Sequence, residues 1–123
     1  IVESEPITRT YLNIKAETSD VLKDSMRQVV SAGTGIRVSK IQDLTVYAKT
    51  GTAQTCSLQK IDLTNSDLEH AWIVATFNYK NEEPLTIVIL VENAGSAKVA
   101  VNIAKKFFNQ YRQLMAKENK LNN

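Results

Sequence analysis

The sequence predicts an α+β fold: an antiparallel sheet of at least three strands with a C-terminal helix packed on it. Three observations carry that expectation. "HAWIVATFNYK" (70–80) and "LTIVILVEN" (85–93) are separated only by the turn "NEEP", so they pair as an antiparallel hairpin. "LTVYAKTGTAQT" (44–55) opens with β-formers and supplies a third strand. Residues 96–118 place apolar side chains at steps of three or four, the pattern of a helix with one buried face.

In chain order, "TRTYLNIKA" (8–16) sets Tyr11 and Ile14 among polar residues and reads as extended. A helix follows over about 20–32, capped by Ser19 or Asp20, with Val21, Leu22, Met26, Val29 and Val30 at helical spacing and Gly33 as its stop. After the strand at 44–55, the polar run 56–69 reads as a connecting loop. Strand 70–80 alternates, with Trp72, Val74, Thr76 and Asn78 on one side and Ala71, Ile73, Ala75, Phe77 and Tyr79 on the other. Trp72 and Phe77 are both expected in the core. Strand 85–93 is apolar almost throughout, which predicts a central strand covered on both faces. Few further strands are available to flank it, so the sheet wants a neighbour. In the last helix Ser96 is the expected cap, and Val99, Ile103, Phe107, Tyr111 and Leu114 the expected buried stripe.

The chain has 123 residues, 43% of them hydrophobic, enough for one domain. Its organisation reads as a lead-in over 1–19, a folded part over 20–118 and a polar tail over 119–123. The net charge of +2 comes from 15 basic and 13 acidic residues spread along the chain, which argues against a nucleic-acid partner. The single cysteine, Cys56, excludes an internal disulfide, and no run approaches the roughly 18 consecutive apolar residues of a membrane span. The opening "IVESEPITRTYLNIK" lacks the pattern of a signal peptide and reads like the middle of something longer.

The run "AKTGTAQ" (48–54) departs from strand preference, because lysine is a poor strand former and glycine weakens a strand interior. On an edge strand beside a cleft it has a chemical reading. Residues two apart share a side, so the hydroxyls of Thr50 and Thr52 point together and can bind a carboxylate. Lys49 adds positive potential, and Gly51 lets a peptide-like ligand lie against the sheet edge. The backbone N–H of Thr52 can then serve a carbonyl oxygen; one such oxyanion donor is worth about 2.7–4 kcal/mol in the transition state. Taken alone, the four residues are also consistent with a polar hairpin arm whose lysine guards an edge.

"VLKDSMRQVVSAGTG", "VYAKTGTAQ", "HAWIVATF" and "TIVILVENAG" occur in this order. Together they resemble the C-terminal part of the transpeptidase domain of penicillin-binding proteins, most like the high-molecular-weight class B members, over roughly residues 20–110. The resemblance implies the C-terminal piece of a β-lactamase/transpeptidase-like fold. It makes Lys49, Thr50 and Gly51 the third active-site motif, with Thr52 supplying the oxyanion N–H and a hydroxyl for the ligand carboxylate. It implies D,D-transpeptidation of peptidoglycan stem peptides through an acyl-serine, inhibition by β-lactams, no cofactor, and an extracytoplasmic place in a membrane-anchored parent. This segment itself is expected to make no membrane contact.

Two family motifs do not match. None of the eight serines begins a Ser-x-Asn. "SLQK" (Ser57 to Lys60) has the Ser-x-x-Lys spacing but follows the triplet instead of preceding it, and chance alone supplies roughly one such match. No nucleophile is therefore expected in this chain; the missing upstream half of the domain would supply it, and alone the chain should be catalytically inactive. The alternative is a non-catalytic β-lactam- or peptide-binding sensor module that keeps the cleft strand without the chemistry. His70 reads as structural and Cys56 as a free thiol. No cluster has metal-ligand spacing. "GTGIRVSK" (33–40) lacks the spacing of a phosphate loop.

Overall fold

The computed structural model describes residues 13–54 and 69–121. The expectations for residues 8–12, for the loop through Cys56, Ser57 and Lys60, and for the last two residues lie outside the described residues. The elements run α1 (Ala16–Ser31), a short 3-10 turn (Ile36–Val38), β1 (Leu44–Ala53), β2 (His70–Tyr79), β3 (Leu85–Val91) and α2 (Ala97–Leu121). The three strands form one antiparallel sheet in the order β1-β2-β3, as expected for an α+β fold.

Helix α1 begins four residues before the expected start. Lys15 is its extended N-terminal flank, with no side-chain cap, so Ser19 and Asp20 lie inside the helix. Ala16 and Glu17 are good helix formers, and the Glu17 carboxylate in the first turn complements the positive helix end. The C-terminus matches the expectation: Ala32 and Gly33 both donate their N–H to the Gln28 carbonyl, at 3.0 and 3.1 Å. A Cβ on Gly33 would sit 2.9 Å from the Val29 carbonyl oxygen, so only glycine fits there. Of the five apolar positions on α1 only Val30 is buried; Met26 and Val29 are half-buried, and Val21 and Leu22 are exposed. The helix thus meets β1 with its C-terminal end.

β2 is the central strand, and its odd-numbered residues Ala71, Ile73, Ala75, Phe77 and Tyr79 are all buried. They face α2. The ring of Phe77 meets those of Phe108, Tyr111 and Phe107 edge-on, with centroids 4.9, 5.2 and 5.8 Å apart. Trp72, expected in the core, sits on the opposite face and is 38% exposed. The strand's alternation forces this, since a side chain one step out of phase with Ala71 and Ile73 cannot share their face.

β3 lies at the end of the sheet among the described residues, so the second neighbour its apolar run was expected to want is not among them. Ile87, Ile89 and Val91 are half-buried and pack on the core, while Thr86, Val88 and Leu90 are exposed. Its apolar content asks for cover, but among the described residues β2 is the only strand beside it.

Ser96 caps α2 as expected, its hydroxyl accepting the N–H of Lys98 at 3.3 Å. The helix runs to Leu121, past the expected 118, because "AKENKL" favours helix. Its buried face differs from the expected stripe. Ala100, Val101, Ala104 and Phe108 are fully buried, whereas Val99, Ile103 and Leu114 are exposed and Phe107 and Tyr111 half-buried. Ala100 and Ala104 share one buried cluster with Ala48, Ala71 and Ala75 of the sheet, and small side chains on both partners let helix and sheet approach closely.

Candidate functional site

The run 48–53 stays in regular strand despite its composition. Lys49, Thr50, Gly51 and Thr52 pair with Val74, Ile73, Trp72 and Ala71 of β2, and β1 has no strand on its other side among the described residues. Alternation divides the four residues. Thr50 and Thr52 share the face of Ile73 and Ala71, and Lys49 and Gly51 share that of Val74 and Trp72. The Lys49 ammonium donates to the Thr50 carbonyl at 2.6 Å, which holds the charge beside the strand backbone.

Gly51 has no internal reason to be glycine. Among the described residues a Cβ there would meet only the Trp72 Cβ, at 3.5 Å, an ordinary contact. Thr50 is the one buried polar residue among the described residues, 9% exposed, and its Oγ1 lies 2.6 Å from the Oγ1 of Thr34. Thr34 stands in the turn after α1. That turn is fixed by the Gly35 N–H bonding to the Val29 carbonyl (3.0 Å) and the Ile36 N–H to that of Gly33 (3.2 Å). In the sequence the "GTG" pattern reads as the stop of α1 and as part of the family resemblance, with no role of its own for Thr34.

Thr52 is exposed at the end of β1. With Thr34 it lines a cavity of about 300 Å³ whose other walls are Glu69, Gly95, Ser96, Ala97 and Lys98. Two bonds brace this end of the molecule. The Gly95 N–H donates to the Glu69 carbonyl at 2.9 Å, and the Asn93 N–H donates to His70 Nδ1 at 3.0 Å. Gly95 has φ 67°, a left-handed conformation that glycine adopts freely. His70 thus ties the start of β2 to the chain leaving β3, a structural role. A larger hollow of about 440 Å³ lies beside the first half of β1 and contains none of residues 49–52.

Among the described residues, no three His, Cys, Asp or Glu side chains gather as a metal site, and no helix is long and apolar enough to cross a membrane. Residues 49–52 thus present a strand edge unpaired among the described residues, one exposed hydroxyl at Thr52, a cation held at the backbone and a glycine without a side chain, while the Thr50 hydroxyl is buried against Thr34.

The family model of the penicillin-binding protein transpeptidase domain matches residues 3–109. A solved structure from Atopobium parvulum, described as a peptidoglycan glycosyltransferase, superposes with a TM-score of 0.58 at 23% identity, over 85% of this chain and 24% of its own. That likeness is one of fold, and this chain spans about a quarter of that protein's length. No curated protein matches the chain significantly.

Proposed function

The chain belongs to the penicillin-binding protein transpeptidase domain family, and from that premise we propose that it carries the ligand-binding strand of a serine D,D-transpeptidase that cross-links peptidoglycan stem peptides. The observation that supports this most directly is Gly51. It lies in an edge strand that pairs fully with β2, the fold leaves room for a side chain there, and yet it is glycine. A glycine that the interior does not require is explained by a ligand that must come close from outside.

In this reading the stem peptide, or a β-lactam in its place, lies along β1. The hydroxyl of Thr52 binds its carboxylate, and Lys49, on the other face of the strand, adds positive potential from beside the backbone. The Thr52 N–H stabilises the oxyanion that forms when the carbonyl is attacked, because a fixed donor aimed at developing charge needs no reorganisation. Thr50 contributes from behind, within the strand. Acyl transfer also requires a nucleophile and its activating base. Those groups come from the complete protein, which acts outside the cytoplasmic membrane and needs no cofactor for this chemistry.

The test is Gly51→Val in the complete protein. The added bulk projects on the Trp72 face beside the edge and narrows the approach to the strand backbone, so acylation by a β-lactam should slow by at least about tenfold. The melting temperature should fall little, since Val suits a strand. Unchanged acylation would remove the ligand from this strand.

A further inference from the structure

We propose that Thr34 is a ligand-binding residue of this site, presenting the outward hydroxyl of the Thr34–Thr50 pair to the ligand's carboxylate. The proposal rests on the reading of residues 49–52 as the ligand-binding strand.

A hydroxyl has one proton to donate and can accept as well. Two hydroxyls 2.6 Å apart share one hydrogen bond, which uses one proton and leaves the other for a second acceptor. Burial decides which can reach a ligand. Thr50 is 9% exposed and does not line the cavity, whereas Thr34 is exposed and does, together with Thr52. Either hydroxyl can donate in that bond. A proton left on Thr50 would be buried, whereas one left on Thr34 can turn into the cavity, so the arrangement with Thr50 donating is the one that serves a ligand.

The Thr34 and Thr52 hydroxyls then form a donor pair on one wall, approached from two different elements. The cavity also holds one charge of each sign, Glu69 and Lys98, so discrimination in favour of a carboxylate falls on the hydroxyls. Precision comes from the turn. Gly35 follows Thr34 directly, and a Cβ at Gly33 or Gly35 would lie 2.9 or 3.2 Å from the Val29 carbonyl oxygen, so the backbone on both sides of Thr34 is pressed against the end of α1. The site thus reaches beyond the strand motif to a residue sixteen positions before Thr50.

The experiment compares acylation of the complete protein by benzylpenicillin and by its methyl ester, in the wild type, Thr34→Val and Thr34→Ser. Thr34→Val keeps the shape and removes the hydroxyl; Thr34→Ser keeps the hydroxyl. The expected result is that Thr34→Val slows reaction with the carboxylate form by about tenfold or more. It should leave reaction with the ester within about twofold, and Thr34→Ser should stay near wild type. An equal loss for both ligands, or none, would overturn the proposal while leaving the reading of β1 intact. A wild type that neither ligand acylates would overturn that reading, and this proposal with it.

Discussion

Lys49 uses one of its three ammonium donors on the Thr50 carbonyl, 2.6 Å away, and so keeps its charge beside the strand backbone. Because the side chain is exposed, its contribution to stability is small, while its potential acts on any anion at the edge. Lys49→Met in the complete protein should shift unfolding by no more than about 0.5 kcal/mol. The same change should lower the acylation rate by an anionic β-lactam and flatten its dependence on salt. Parallel salt titrations of both proteins check this, and an unchanged salt slope would mean that Lys49 does not face the ligand. Much at this scale was legible in the sequence. The "KTGT" run stood out because it breaks strand preference, and the alternation in "HAWIVATFNYK" marked Phe77 as a core residue. Trp72 was misjudged by letting aromatic character outweigh the same alternation. The pairing of Thr34 with Thr50 was not legible, because it is a contact between hydroxyls that only the folded turn brings together.

Two helix ends and one helix face define the element scale. The turn after α1 requires glycine at 33, where a Cβ would lie 2.9 Å from a backbone oxygen that cannot swing away. Gly33→Ala should therefore destabilise the chain by about 1–3 kcal/mol in denaturant unfolding. If Thr34 is positioned by this turn, the variant should also bind ligand less well. On α2, Tyr111 packs on Phe77, and its hydroxyl is pushed above the ordinary 10.0 by burial first, then by the Glu82 and Glu118 carboxylates. A raised value means the folded state holds the phenol proton more tightly than the unfolded chain. The resulting stability is present below pH 10 and fades as pH rises through the folded value. Tyr111→Phe should remove that alkaline decline, which urea unfolding at pH 9 and pH 11 would show as a flatter profile. The position of α2 was readable from its apolar periodicity, but its face was not. Large apolar side chains drew the expectation to Val99, Ile103 and Leu114, whereas the buried cluster takes Ala100 and Ala104 together with the small residues Ala48, Ala71 and Ala75 of the sheet. Periodicity locates a helix well and orients it only when its apolar arc is narrow.

For the whole molecule, the open feature is β3. Val88 and Leu90 are 58% and 43% exposed on an edge strand that carries no lysine, an arrangement prone to edge-to-edge pairing. The 123-residue chain on its own should self-associate at high concentration, and Val88→Lys should reduce that; light scattering distinguishes the two, and a wild-type monomer would count against it. The uninterrupted apolar run was visible in the sequence as a strand needing two neighbours, and the shortage of further strands already implied that one would be lacking among these residues. The same incompleteness bears on function: the strand that binds is here, and the group that attacks is proposed to lie elsewhere in the protein. Intact mass after incubation with a β-lactam, measured on the complete protein and on the 123-residue chain side by side, tests this most directly. The account predicts one covalent adduct on the complete protein and none on the chain. An adduct on the chain alone, for instance at Ser57, or an unmodified complete protein, would contradict it.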